Sequence, residues 1–76
     1  MSYIKEIVPK ENYCIEVHLE NGSQIILNLE NRLKTVRFST LSDKAFFNKA
    51  TTDGSYIRWD NKVEISVNEV FQLAQK

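Results

Sequence analysis

The sequence predicts a small α+β fold, in which an antiparallel sheet built from two hairpins and an N-terminal strand packs against two short helices. The 76-residue chain contains two segments of alternating apolar and polar side chains that each fold back through a tight polar loop. A capped helical segment directly follows the second hairpin. Strands grouped with helices on one face of an antiparallel sheet are typical of the α+β class. This length predicts a single compact domain over residues 1–76.

Two strands are predicted in the first third of the chain. The first covers residues 3–8 and ends at Pro9, which cannot donate a hydrogen bond to a sheet. The second covers residues 13–19, where apolar and polar side chains alternate as in a half-buried strand. Asn21-Gly22 follows, which is a strong hairpin signal.

The register of this first hairpin follows from the face that each apolar side chain occupies. A two-residue loop at Asn21-Gly22 mixes apolar and polar side chains, whereas a three-residue loop over residues 20–22 collects the apolar ones on one face. Burial therefore selects the longer loop. The predicted pairs are Leu19 with Ser23, Val17 with Ile25, Ile15 with Leu27 and Tyr13 with Leu29. This loop places Gly22 in the left-handed region as part of a bulge.

The middle of the chain gives a weaker pattern. Residues 30–41 are apolar at mixed spacing, which indicates one helical turn followed by a loop and leaves the topology open. A clearer helix begins near Ser42, the predicted N-cap. Leu41 and Phe46 then occupy the positions of a hydrophobic staple around that cap.

The second hairpin is predicted to use the same kind of loop. A three-residue loop over residues 60–62 pairs Trp59 with Val63 and Ile57 with Ile65, which again gathers the apolar side chains on one face. Lys62 then takes the position that Gly22 fills in the first hairpin. Because a non-glycine residue is strained there, the sequence predicts that Lys62→Gly stabilises the domain.

A second helix is predicted after this hairpin. Ser66 and Glu69 have the spacing of a capping box, and Ile65 and Val70 have that of a hydrophobic staple. An apolar stripe at helical spacing is expected to lie on the sheet. Its members are Val67, Val70, Phe71 and Ala74.

The second hairpin also carries a family resemblance. The order of the first hairpin, the Phe38…Leu41…Phe46-Phe47 segment and the 57–66 segment resembles the small bacterial domain-of-unknown-function family numbered 2442. The resemblance covers roughly residues 4–71. The retained positions are Trp59, Asn61, Glu64 and Ser66, while Asp60, Lys62 and Val67 replace the proline, glycine and proline typical of the family.

The resemblance implies a compact α+β unit without an established activity. Some members of the family carry a helix-turn-helix domain, and some lie beside small partner genes in toxin–antitoxin-like loci. It brings no catalytic residues to this chain.

Composition narrows the classes of function. Ten basic and ten acidic side chains cancel, so net charge gives no general attraction to nucleic acid or membrane. The charge is nevertheless uneven, because residues 1–30 carry two lysines and five glutamates, whereas residues 31–50 carry five basic side chains and one aspartate. One cysteine cannot form an intramolecular disulfide, and no apolar run has the length of a signal peptide or a membrane span. A cytoplasmic protein is expected.

The sequence indicates no catalytic, metal or cofactor site, and no small-molecule substrate is evident. Cys14 and His18 lie four residues apart on one strand, which separates them by about 13 Å and prevents them from sharing one metal ion. Glu16, His18 and Glu20 share the polar face of that strand and can form a pH-sensitive contact.

We therefore expect a non-catalytic interaction or regulatory module that binds a protein partner or a second copy of itself, in an arrangement such as a toxin–antitoxin-like pair. Exposed sheet edges recruit strands, and Ile26 with Cys14 is apolar on the otherwise polar face of the first hairpin. The alternative is a weak nucleic-acid-binding protein that uses the basic 32–49 segment. The candidate partner surface comprises Arg32, Lys34, Arg37, Lys49, Tyr56, Arg58 and Lys62.

Overall fold

A computed structural model describes residues 3–74 as two three-stranded antiparallel sheets with short helices. The first sheet has the order β1 (Ile4–Pro9), β2 (Cys14–Leu19), β3 (Gln24–Asn28), and the second has the order β4 (Thr51–Thr52), β5 (Tyr56–Trp59), β6 (Val63–Ser66). The helices are α1 (Lys44–Phe47) and α2 (Val67–Ala74), with 3-10 turns at Glu11–Tyr13, Glu30–Arg32 and Ser39–Ser42. The α+β class is confirmed, but the strands divide between two sheets.

The second sheet contains a strand that the sequence pattern does not reveal. β4 is only two residues long, too short to show periodicity, and it pairs through Thr51 with Arg58 and through Thr52 with Ile57. The turn after it returns to the first sheet, where the Ile4 N–H donates to the Gly54 carbonyl at 2.8 Å. This bond joins the two sheets at one corner.

The register of the first hairpin is confirmed. Ile15 pairs with Leu27 and Val17 with Ile25, and the Leu19 N–H donates to the Ser23 carbonyl at 2.9 Å. Gly22 has a φ of +91°, the left-handed conformation that the three-residue loop requires.

The second hairpin has the predicted register but a different loop backbone. Trp59 pairs with Val63, and the Lys62 N–H donates to the Trp59 carbonyl at 3.1 Å. The left-handed residue, however, is Asp60, with a φ of 56°, and the placement of Lys62 in that conformation is wrong. Aspartate tolerates the left-handed region better than lysine because its short polar side chain can bond locally.

The first helix begins later than predicted. Its N-cap is Asp43, whose Oδ1 accepts from the Ala45 N–H at 3.0 Å, and Ser42 instead donates to the Ser39 carbonyl within the preceding 3-10 turn. The prediction of Ser42 as the cap is therefore wrong, since aspartate caps at least as well and stands one residue further along. The shift also removes Leu41 and Phe46 from the staple positions.

The second helix keeps its predicted cap but changes its buried face. Ser66 Oγ accepts from the Glu69 N–H at 3.2 Å, which is one half of the capping box. Val67 and Val70 are buried as predicted, whereas Phe71 is 37% exposed and Leu73 packs against the core in its place.

Trp59 lies at the centre of the core and is fully buried. Its Nε1–H donates to the Phe47 carbonyl at 2.9 Å, and the two rings lie 6.0 Å apart. Tyr13 continues the chain of contacts, because its ring meets Phe47 edge-on at 5.4 Å and its hydroxyl donates to the Ser42 carbonyl at 2.6 Å. These contacts connect the second hairpin through α1 to the first sheet.

Replacing Trp59 by Phe should lower the free energy of unfolding by roughly 2–3 kcal/mol, because it leaves a cavity and removes a buried donor. The Phe47 carbonyl would keep only the Ala50 N–H, at 3.4 Å. Tyr13→Phe is the control, since it also removes one donor but from a half-buried ring, and should cost about 1 kcal/mol. Urea melts followed by circular dichroism measure both. Equal losses would contradict a central role for Trp59.

In the loop of the second hairpin, glycine at two nearby positions should change the free energy of unfolding in opposite directions. Asp60→Gly should raise the free energy of unfolding by up to about 1 kcal/mol, because glycine adopts a positive φ without strain. Lys62→Gly should lower it by roughly 0.5–1 kcal/mol, because Lys62 does not have a positive φ, so glycine relieves no strain there and adds freedom to the unfolded chain. Urea melts of the two variants in parallel test this, and a larger gain for Lys62→Gly would refute it.

Candidate interaction surface

Arg37 belongs to the predicted partner surface, but the fold uses its guanidinium internally. Both terminal nitrogens donate to the Glu69 carboxylate, with Nη2 at 2.8 Å from Oε1, and Nη2 also donates to the Glu64 carbonyl at 2.8 Å. The hydrogen bonds from Arg37 hold the pKa of Glu69 below its ordinary value. Arg37 therefore fastens the segment before α1 to the start of α2.

Arg58, on the second hairpin, also donates hydrogen bonds to carboxylates of its own chain. Its Nε donates to Glu64 at 3.1 Å and its Nη1 donates to Asp53 at 2.6 Å, while the guanidinium lies 4.9 Å from the centre of the Tyr56 ring. The Ser55 and Tyr56 N–H groups and then Arg58 hold the pKa of Asp53 below its ordinary value. The charge of Arg58 is therefore balanced by Glu64 of the same hairpin and by Asp53 of the turn between β4 and β5.

The other predicted surface residues are exposed. Lys62 lies over the Phe46 ring, with Nζ 5.9 Å from its centre. Arg32, Lys34 and Lys49 have no ion pair with any described residue. The seven predicted residues thus do not form one uniformly basic patch, because the two arginines with the firmest positions are already paired.

Among the described residues, the outer edge of β3 has no strand partner, although α2 packs against the same strand. In the observed register Ile25 and Leu27 direct their backbone groups toward β2, so the N–H and C=O groups of Gln24, Ile26 and Asn28 point away from the sheet. No backbone group among residues 3–74 pairs with them on that side. All three residues are exposed, and Ile26 is 54% exposed.

The other sheet edges are shorter or interrupted. β4 has two residues, and β1 bonds to the Gly54 carbonyl through Ile4 at one end and has Pro9, which lacks an N–H, at the other. On β6, the outward carbonyl of Glu64 accepts from Arg37. β3 is therefore the edge best placed to accept another strand.

The face of the first sheet beside this edge is mixed in character. Ile26 lies opposite Glu16, and Glu16 lies opposite Val8, so an apolar and a charged side chain alternate across the strands. His18 Nε2 lies 2.7 Å from Glu16, and Lys10 lies 3.6 Å from its other oxygen. The hydrogen bond to His18 is the main cause of the lowered pKa of Glu16. His18 thus contacts Glu16, one of the two acids on its face of the strand, and the pH sensitivity of this contact stays a prediction.

An open cleft of about 690 Å³ lies between the β1–β2 turn and α1. Its lining comprises Pro9, Lys10, Glu11, Asn12, Tyr13, Lys44, Phe47 and Asn48. None of these was selected from the sequence as a site residue. The sequence offers little signal for the cleft, because its two walls are separated by about thirty residues and meet only when Tyr13 packs on Phe47.

Neither a metal-binding cluster nor a membrane-spanning helix is found among residues 3–74. Within residues 3–74, no group of three or more histidine, cysteine, aspartate or glutamate side chains is arranged to hold a metal ion. None of the helices in the described part of the chain has the length and apolar character that a membrane span requires.

Comparison with known proteins identifies one family. The model of the family described as "Protein of unknown function (DUF2442)" matches residues 4–75, which is nearly the whole chain. Comparison with curated proteins and with solved structures gave no match. The resemblance drawn from the second hairpin is confirmed.

The Arg37–Glu69 pair predicts a pH dependence of stability. Because the folded pKa of Glu69 is lowered, the pair stabilises the fold above the ordinary pKa of about 4.5, and this contribution is lost as the pH falls through the folded value. Glu69→Gln should therefore lower stability at pH 7 by less than about 1 kcal/mol, given the exposure of Arg37.

The difference between Glu69→Gln and the native chain should shrink below pH about 4.5. Urea melts between pH 3 and 7 measure it, with the exposed Glu20→Gln as a control that stays level with the native chain. A constant difference across this range would contradict the pairing.

Proposed function

The chain belongs to the family of proteins of unknown function DUF2442, and on that premise we propose that it is a non-catalytic interaction module that binds an extended segment of a partner protein along β3. The observation that carries the proposal is the open β3 edge. A strand that adds there finds the outward N–H and C=O groups of Gln24, Ile26 and Asn28. Main-chain hydrogen bonds supply affinity in such complexes, and alternate side chains supply specificity.

The chemistry around the edge favours a particular kind of segment. Ile26 offers an apolar contact at the centre of the strand. The first sheet lies within residues 4–28, which carry four glutamates and two lysines, so the surroundings of the edge are acidic. The fitting partner segment is about five residues long, extended, with an apolar side chain near its centre and basic side chains beside it.

The same charges disfavour pairing of two β3 edges from two copies of this chain. A two-fold antiparallel pairing would bring one acidic sheet beside another, and like charges across an interface oppose association. A different protein is therefore the favoured partner over a homodimer.

The nucleic-acid alternative has less support from the fold. Phosphate binding requires cations that are not already neutralised. Arg37 is paired with Glu69, and Arg58 is paired with Asp53 and Glu64. Of the basic 32–49 segment, this leaves Arg32, Lys34, Lys44 and Lys49 as exposed cations without a described ion pair.

The setting that we propose is a bacterial cytoplasm, with the partner encoded beside this chain in a toxin–antitoxin-like arrangement. The support is the family resemblance together with the single cysteine, which needs no oxidising compartment.

Strand addition predicts how variants at Ile26 behave. Ile26→Pro removes an N–H that points away from β2, so it should spare the hairpin and weaken partner binding by about tenfold, equivalent to roughly 1.4 kcal/mol. Ile26→Lys should also weaken binding, because it removes the apolar contact. Val36→Lys is the matched control, since Val36 is 97% exposed and lies outside the sheets.

The measurement is isothermal titration of each variant with the purified product of the neighbouring gene, after circular dichroism has shown equal folding. Equal affinities for Ile26→Pro and Val36→Lys would exclude β3 as the contact. If light scattering shows that the native chain is a dimer and that Ile26→Pro is a monomer, the segment bound at β3 belongs to a second copy of this chain and not to a different protein. Binding to mixed DNA or RNA that weakens steeply with salt would favour the nucleic-acid alternative.

A further inference from the structure

We propose that the cleft between the β1–β2 turn and α1 binds a small organic anion, in which a phosphate or carboxylate group is attached to an aromatic ring. The cleft shares no residue with β3, so this inference goes beyond strand addition. Its volume of about 690 Å³ lies within the range of roughly 300–1,000 Å³ that small-molecule sites occupy.

The charge of the lining favours an anion. Lys10 and Lys44 contribute two ammonium groups, and Glu11 contributes one carboxylate. Lys44 has no ion pair with a described residue, and Lys10 is only loosely held by Glu16 at 3.6 Å, with half of its side chain exposed. Both cations are therefore able to turn toward a ligand without breaking a buried pair.

The remaining lining suits an attached ring. Tyr13 is half-buried and rests edge-on against the buried Phe47 at 5.4 Å, and Pro9 adds a second apolar surface. Asn12 and Asn48 supply amide groups that can donate to an anionic oxygen. A few polar groups around an apolar surface are typical of sites that orient a small ligand.

The backbone of one wall is held in an uncommon conformation. Asn12 has φ 60° and ψ 31°, and the next residue, Tyr13, also has a φ of 60°. Two adjacent left-handed residues without glycine cost on the order of 1–3 kcal/mol each. The Lys10 N–H to Cys14 carbonyl bond of 2.7 Å and the Tyr13 hydroxyl bond to Ser42 keep the turn closed. Strain maintained by its surroundings is typical of residues that position a ligand.

The test is a titration of the isotopically labelled chain followed by nuclear magnetic resonance, with four probes. Phenyl phosphate and benzoate carry both proposed features, inorganic phosphate carries the anion alone, and benzyl alcohol carries the ring alone. We expect the first or second to bind with a Kd of about 1 mM or tighter. The shifts should centre on the side-chain amides of Asn12 and Asn48.

Variants separate binding from folding. Lys44→Met keeps the aliphatic stem and should raise the Kd about fivefold, whereas Lys34→Met makes the same change at an exposed lysine outside the cleft and should leave it unchanged. Asn12→Gly should relieve the left-handed strain and raise the melting temperature, yet weaken binding through loss of the amide.

Each outcome decides the proposal. Binding of phenyl phosphate alone assigns the site to phosphate monoesters, binding of benzoate alone assigns it to carboxylates, and binding of both supports the shared chemistry. The proposal is overturned if neither shifts a resonance at about 20 mM. It is also overturned if inorganic phosphate or benzyl alcohol binds as tightly, or if Lys44→Met and Lys34→Met behave alike.

Discussion

The hydrogen bond from the buried indole of Trp59 to the Phe47 carbonyl is the contact on which the arrangement of this small domain depends. A chain of 76 residues has a small core, so each short element depends on direct contacts with that core for its stability. Trp59 supplies such a contact for the four-residue helix α1, which is too short to be stable alone. Tyr13 then packs on Phe47 from the first sheet. The position of α1, and with it the cleft, follows from these contacts.

Two of the arginines that the sequence predicts as a partner surface form ion pairs within the folded chain. Arg37 joins the segment before α1 to the start of α2, and Arg58 crosses the second hairpin between two carboxylates. An exposed ion pair contributes little by itself, but a bidentate arginine also fixes geometry. Surface arginines of a small protein therefore cannot be equated with a binding site until their partners are known.

Main-chain groups and a cleft are the better candidates for function in this molecule. Among the outer edges within residues 3–74, β4 is short, β1 bonds to the other sheet at Ile4 and β6 bonds to an arginine, whereas β3 presents three successive outward residues without a backbone partner. The cleft is lined by residues outside β3. Its wall nevertheless adjoins the end of that strand, because the Leu29 N–H donates to the Tyr13 carbonyl at 2.9 Å.

Both hairpin registers and the α+β class follow from the pattern of apolar residues in the sequence, because a one-residue slip would have exposed every apolar side chain of a strand. The sequence also predicts the Ser66 cap, since capping is local. Four features are visible only in the folded chain: the second sheet, the left-handed Asp60, the pairing of Arg37 with Glu69 and the cleft. Each of these joins residues far apart in the chain or rests on a choice among near-equal turn conformations, and neither leaves a periodic signal in the sequence.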